Sequence, residues 1–148
     1  EIAVLAACRE IGAAFVAFSP LARAFLTGTL RDVSTLEPRD LRRGMPRFEP
    51  EAYARNLALL PAFTALAAEA GCTPAQLALA WLLHRGPDIL PIPGTRSREH
   101  LRENLGALNV RLSDDLAARA DALINHGTVA GPRYNATTTA EVDTERFS

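Results

Sequence analysis

The residues best placed to do chemistry lie in PIPGTRSREHLRENL, residues 91 to 105. Gly94 and Thr95 make a turn after two prolines, and Ser97 stands where a helix can be capped. A helix start carries free N–H groups and the positive end of the dipole, so it attracts an anion. Gly94 lets a ligand approach the backbone closely, and Arg96 adds a planar fork suited to phosphate. At ~100° per residue, His100 and Asn104 fall along one edge of the predicted helix, with Glu103 just beyond. Arg98 and Arg102 fall along the other edge. Between them Leu101, Leu105 and Leu108 form an apolar stripe, expected to face the rest of the fold. Taken alone, a plain turn, a capped helix and solvated arginines account for the stretch better than phosphate binding, because short motifs recur by chance.

A second candidate is FSPLARAFLTG, residues 18 to 28. Phe18 ends an apolar run, Ser19 offers a hydroxyl and Pro20 stops the run. In parallel α/β folds ligands bind at the carboxyl ends of strands. An aromatic there can stack on a flat ring, although core packing is the simpler reading of Phe18 by itself.

These stretches need elements to position them. Val4, Leu5, Cys8 and Ile11 have helical spacing, and Gly12 ends that helix. AAFVAF (13 to 18) reads as a short strand buried on both faces. Residues 30 to 50 hold three prolines, charges of both signs and no sustained period, which predicts a lid or a disordered loop. Helix returns over 51 to 71, kinked or divided at Pro61. CTPAQLALAWLLHRG follows, with Thr73 as N-cap, Pro74 at the first position and Gly86 closing a deeply buried helix. PDILPIP (87 to 93) predicts a second short strand. A helix runs from about Ser97 to Leu108, another lies within 112 to 127 behind Ser113, and 128 to 148 form a polar, peripheral tail.

Helix, glycine and buried strand form the rhythm of an α/β protein with parallel strands. Two such strands cannot make a sheet with its own core, so more sheet is expected from elsewhere. Glu1 at the start and Met45 as the single methionine point the same way. The chain has 148 residues, 48% of them hydrophobic, and a net charge of −1, giving no field for nucleic acid or an anionic membrane. No apolar run reaches the ~20 residues of a membrane span. A helix-turn-helix over ALAAEAGCTPAQLALAW is weak, because only Gln76 could read a base edge. Cys8 and Cys72 read as reduced packing thiols, which suits a cytoplasmic protein. All 16 basic residues are arginine, so no mechanism within these residues can use a lysine.

In order and spacing, REIGAAFVAFSPLARAFLTG, PRFEPEAYARNLALLPAFTALAAEAGCTPAQLALAWLLHRG and ILPIPGTRSREHLRENLGAL resemble the carboxyl-terminal half of an aldo-keto reductase. GPRYNA is similar to the tail of one bacterial and plant branch of that family. The resemblance implies part of a single (β/α)8 TIM barrel domain over 1 to 148, its strands being the seventh and eighth. It implies NADPH-dependent reduction of aldehydes or ketones, with NADP(H) bound in extended form. Phe18 then matches the aromatic against the nicotinamide. Ser19, Pro20, Leu21 and Arg23 match the loop along the nicotinamide side and pyrophosphate. Gly94, Thr95, Arg96 and His100 match the surroundings of the 2′-phosphate, and Glu103 and Asn104 the pair that meets the adenine amine.

Two departures stand out. Ala22 and Ala24 occupy positions where the family often has glycine. His100 replaces a more usual arginine or glutamine, so preference for the 2′-phosphate rests mainly on Arg96 and gains a pH-sensitive neighbour. The family's catalytic Asp, Tyr, Lys and His come from earlier strands. Tyr53, Tyr134, His84 and His126 match none of them, so no catalytic residue is expected here. The missing amino-terminal half of the barrel, or a partner chain, is then needed to complete the fold. The alternative is a catalytically inert nucleotide-binding or regulatory protein of the same fold.

Overall fold

The computed structural model describes residues 3 to 141. Helix α1 (Val4–Glu10) leads through Gly12, at φ +69, into strand β1 (Phe15–Phe18). A 3-10 stretch (Ala22–Thr27) and three single 3-10 turns (Val33–Thr35, Leu41–Gly44, Pro46–Phe48) precede helix α2 (Pro50–Leu57). Helices α3 (Leu60–Glu69) and α4 (Pro74–His84), strand β2 (Ile89–Ile92), and helices α5 (Arg98–Gly106), α6 (Asp114–Leu123) and α7 (Ala136–Ala140) complete the order. Pro61 divides the predicted 51 to 71 helix: it lies in the first turn of α3, where its missing N–H costs nothing.

β1 and β2 pair in parallel, with Val16 opposite Leu90 and Phe18 opposite Ile92. Both strands are shorter than the sequence suggests, and the expectation of burial on both faces needs correction. Side chains alternate along a strand, so Val16, Phe18, Leu90 and Ile92 share one face, and all four are exposed. Ala17 and Ile89, on the other face, are buried. Helix α4 packs beside β2 and covers that side only.

The main core joins Phe63, Leu66 and Ala67 of α3 to Leu77 and Ala78 of α4 and Ala120 of α6. Helix α4 starts with a full capping box: Gln76 N–H donates to Thr73 Oγ1 at 3.2 Å, and Thr73 N–H donates to Gln76 Oε1 at 3.1 Å. A second cluster joins Phe25, Phe48, Tyr53 and Leu60. Tyr53 stacks on Phe48 (5.5 Å between centroids), meets Phe25 edge-on (5.9 Å) and donates its hydroxyl to Leu30 O at 2.8 Å.

That cluster anchors residues 30 to 50, the segment expected as a lid or disordered loop. Its turns are capped by Asp32 and Asp40, each accepting from a backbone N–H two residues on, and Leu36 and Phe48 are buried. Arg43 ties the segment together by donating to Ser34 O, Leu36 O and Glu37 O. Of the predicted tail, 142 to 148 fall outside the described residues. Its first part is stitched down: Asn56, buried, accepts from Ala130 N–H at 2.7 Å and donates to Ala130 O at 3.0 Å. No single described helix is long and apolar enough to cross a membrane.

Helix α5 is rotated from its sequence-based placement. Its buried side carries Asn104, followed by buried Ala107 in the next turn, while Leu101, Leu105 and Leu108 are 50%, 55% and 59% exposed. The reason is the small residue Gly106. α5 contacts α4 there so closely that a Cβ on Gly106 would lie 2.3 Å from Gln76 Nε2. The same amide donates to Glu103 O at 3.0 Å. Gln76, the one side chain offered to a base edge by the sequence, is thus engaged at both ends.

Candidate functional site

A cavity of about 890 Å³ opens beside the carboxyl ends of β1 and β2. One wall is the loop after β1, with Ser19, Pro20, Leu21 and Arg23; another is the turn after β2 and the start of α5, with Gly94, Thr95, Arg96, His100, Glu103 and Asn104. These segments are more than seventy residues apart in sequence, and the parallel pairing of β1 with β2 brings them together. Phe18 stands apart from this set. It is half-exposed at the end of β1 and borders a smaller apolar pocket of about 230 Å³ with Ala78 and Trp81.

The second wall starts from α5. Ser97 Oγ accepts from His100 N–H at 3.3 Å, and Thr95 Oγ1 accepts from Ser97 N–H at 3.0 Å. The cap leaves other first-turn amides and the dipole for an anion. Asn104 is 8% exposed, lines the cavity, and makes no side-chain hydrogen bond among the described residues. Among the described residues only Trp81 Nε1 is a fully buried side-chain polar atom without a partner, so the Asn104 amide keeps contact with the open space of the cavity, where a ligand can meet it.

The first wall is strained. Ser19, Ala22, Arg23 and Ala24 have φ of +51°, +47°, +56° and +75°, a left-handed region that residues with a Cβ rarely adopt. At Ala22 and Ala24 the backbone takes a shape that glycine adopts without strain. Hydrogen bonds hold it there: Ala22 N–H to Ser19 O at 2.9 Å, and Thr27 Oγ1 to Ala24 O at 2.7 Å.

A third wall was missed by sequence reasoning. Asp40, Leu41 and Arg42 line the cavity from the 30 to 50 segment. Arg42 forks onto Asp40 (Nε to Oδ1 2.9 Å, terminal nitrogen to Oδ2 2.6 Å) and donates to Arg23 O at 3.1 Å. The hydrogen bonds from Arg42 pull the Asp40 carboxyl down to about 2. With Asp40 neutralised by its partner, Arg23, Arg96 and the amino end of α5 leave the cavity favourable to anions. The sequence signal was only an Asp-x-Arg spacing in a stretch without periodicity.

The remaining candidate acids and bases lie elsewhere. Tyr53 is buried in the second core cluster, and desolvation raises its pKa. His84 Nε2 sits 3.2 Å from Asp114 Oδ1, bridging α4 to the start of α6. Among the described residues no group of His, Cys, Asp and Glu is arranged to hold a metal ion.

The sequence matches the Aldo/keto reductase family over residues 1–125. It is 42% identical over 134 residues to the aldo-keto reductase yakc of Schizosaccharomyces pombe, whose name carries NADP(+). That match takes in 90% of this chain and 39% of the relative, so the chain spans well under half of the relative's length. Among solved structures it resembles the glycerol dehydrogenase AKR11B4 of Gluconobacter oxydans (TM-score 0.74, 22% identity), covering 95% of this chain and 40% of that one. It also resembles the thermostable aldo-keto reductase Tm1743, solved with the inhibitor epalrestat (TM-score 0.54, 28% identity, 82% and 34% covered). The fold is therefore that of part of an aldo-keto reductase barrel, and the chain belongs to the aldo/keto reductase family.

Proposed function

We propose that this chain supplies the cofactor-binding part of an NADPH-dependent reductase of aldehydes or ketones, with β1 and β2 as the seventh and eighth strands of the barrel. The observation that carries the reading is the convergence of two distant, chemically apt segments on one cavity at the carboxyl ends of parallel strands. The name of the 42%-identical relative supports NADP(H) as the cofactor. The bare face of the sheet fits as well. Val16, Leu90 and Ile92 are the bulky branched residues that fill a barrel interior.

The residues present suit a dinucleotide. Arg96 and the amino end of α5 hold the 2′-phosphate, and Thr95 fixes the turn that presents them. Asn104 finds in the adenine amine the hydrogen-bond partner it lacks, and Glu103 stands beside it. Arg23 and the strained 19 to 24 backbone face the pyrophosphate, and Phe18 lies against the nicotinamide. When bound, NADPH supplies the hydride. The tyrosine that gives the proton and its lysine come from the part of the barrel outside this chain. Binding at the 94 to 104 end, far from the reacting carbon, spends its energy on positioning the ring.

Titration of the complete protein with NADPH and NADH tests the assignment. Arg96→Ala should weaken NADPH by roughly tenfold or more, the loss of a charge-assisted contact, and leave NADH little changed. Equal losses for the two cofactors would remove Arg96 from the 2′-phosphate site.

A further inference from the structure

Arg42 joins two segments that are separate in sequence. It sits in the turn Leu41–Gly44 and donates to the carbonyl oxygen of Arg23, 19 residues earlier, at 3.1 Å. That acceptor lies within the run held at positive φ, where Arg23 itself has φ +56. Asp40 aims the guanidinium, taking its fork on both carboxylate oxygens at 2.9 and 2.6 Å. The Arg42 and Asp40 side chains are only 23% and 19% exposed, so the pair is held more firmly than an ion pair in open water.

Both partners rest on one base. Phe25, directly after the strained run, and Phe48, beyond the Arg42 turn, are buried in the same cluster, and Met45 packs against it. Arg43 ties the turn back to Ser34, Leu36 and Glu37 through their carbonyls. The turn is therefore a fixed post beside the loop. Within the loop, Ala22 N–H donates to Ser19 O and Thr27 Oγ1 to Ala24 O, and neither bond uses Arg23 O. Residues with a Cβ keep left-handed backbone only where their surroundings over-determine it, and Arg42 supplies such a constraint from outside.

We propose that Arg42 is a positioning residue for the cofactor's pyrophosphate, acting through Arg23 O to hold the 19 to 24 loop in its left-handed shape. The inference rests on the reductase reading, in which that loop faces the pyrophosphate and residues 94 to 104 hold the adenosine end. It gives the 30 to 50 segment a role beyond closing one wall of the cavity.

The test measures the affinity of the complete protein for NADPH, NADH and 2′,5′-ADP, which lacks the pyrophosphate. Arg42→Met keeps much of the bulk and removes the bonds. Affinity for both dinucleotides should fall alike, on the order of tenfold, as expected for loss of a charge-assisted hydrogen bond, while 2′,5′-ADP stays within about twofold. Ala24→Gly, which relaxes the left-handed backbone, should recover about two- to fivefold for both dinucleotides in the Arg42→Met background, yet change the wild type by less than about twofold. A merely structural role for Arg42 would not produce that rescue. Asp40→Asn, a milder change that leaves Arg42 in place, should show the same pattern at about threefold, and decides the matter if Arg42→Met fails to fold. A loss confined to NADPH, an equal loss for 2′,5′-ADP, or no rescue by Ala24→Gly would overturn the positioning role and leave the reductase reading standing. Binding of neither dinucleotide by the wild type would overturn both.

Discussion

Ala22 and Ala24 show how much a single side chain can conceal. Each is an unremarkable alanine in sequence, yet each sits at positive φ beside the cavity. Left-handed backbone costs a residue with a Cβ roughly 1–2 kcal/mol, while glycine costs about 0.5–1 kcal/mol more to order than alanine. The balance favours glycine. Ala22→Gly and Ala24→Gly should each raise unfolding free energy by about 0.5–1 kcal/mol, measured by denaturant titration. A loss of stability at both sites would mean that the loop is not strained. At this scale the sequence was partly legible. His100, Glu103 and Asn104 could be grouped because helical geometry fixes which positions share an edge. Arg42 and Asp40 could not, since no period governs a stretch of single turns.

Helix α5 was legible in its limits and cap but not in its orientation. Hydrophobicity put Leu101, Leu105 and Leu108 against the fold, whereas Gly106 permits the contact that α4 makes. Gln76 then links the elements, closing the cap of α4 at one end of its amide and holding Glu103 O with the other. Gln76→Ala removes both bonds. It should destabilise the protein by about 1–2 kcal/mol, and should also weaken NADPH binding because α5 loses its register on α4. Unchanged cofactor affinity, with stability alone reduced, would show that α5 is positioned by other contacts. The strands were recognised by their apolar runs and bounding prolines. Their one-sided burial was not, because an unalternating run does not say which face finds a cover.

At the scale of the molecule, the exposed faces are the main departure from an ordinary soluble domain. Val16, Phe18, Leu90 and Ile92 on the sheet, and the leucines of α5, form apolar surface of a kind that marks an interface. If the rest of a barrel covers them, the 148-residue chain by itself should self-associate in sedimentation velocity and bind a hydrophobic dye. Ile92→Ser with Leu105→Ser should reduce both effects. A dye-negative monomer would contradict the barrel placement of β1 and β2. This arrangement also accounts for the spread of the site over loops that the barrel's carboxyl face gathers, while the helices beneath only hold them in place.

The central claim is that one NADPH molecule spans the cavity, its adenosine end on residues 94 to 104 and its nicotinamide end on the 18 to 24 loop. Amide hydrogen exchange on the complete protein, with NADPH and separately with 2′,5′-ADP, tests it most directly. NADPH should slow exchange in both segments, and 2′,5′-ADP, which lacks the nicotinamide half, should slow it in 94 to 104 alone. Protection by 2′,5′-ADP in the 18 to 24 loop without any in 94 to 104, or no protection of either segment by NADPH, would contradict the account.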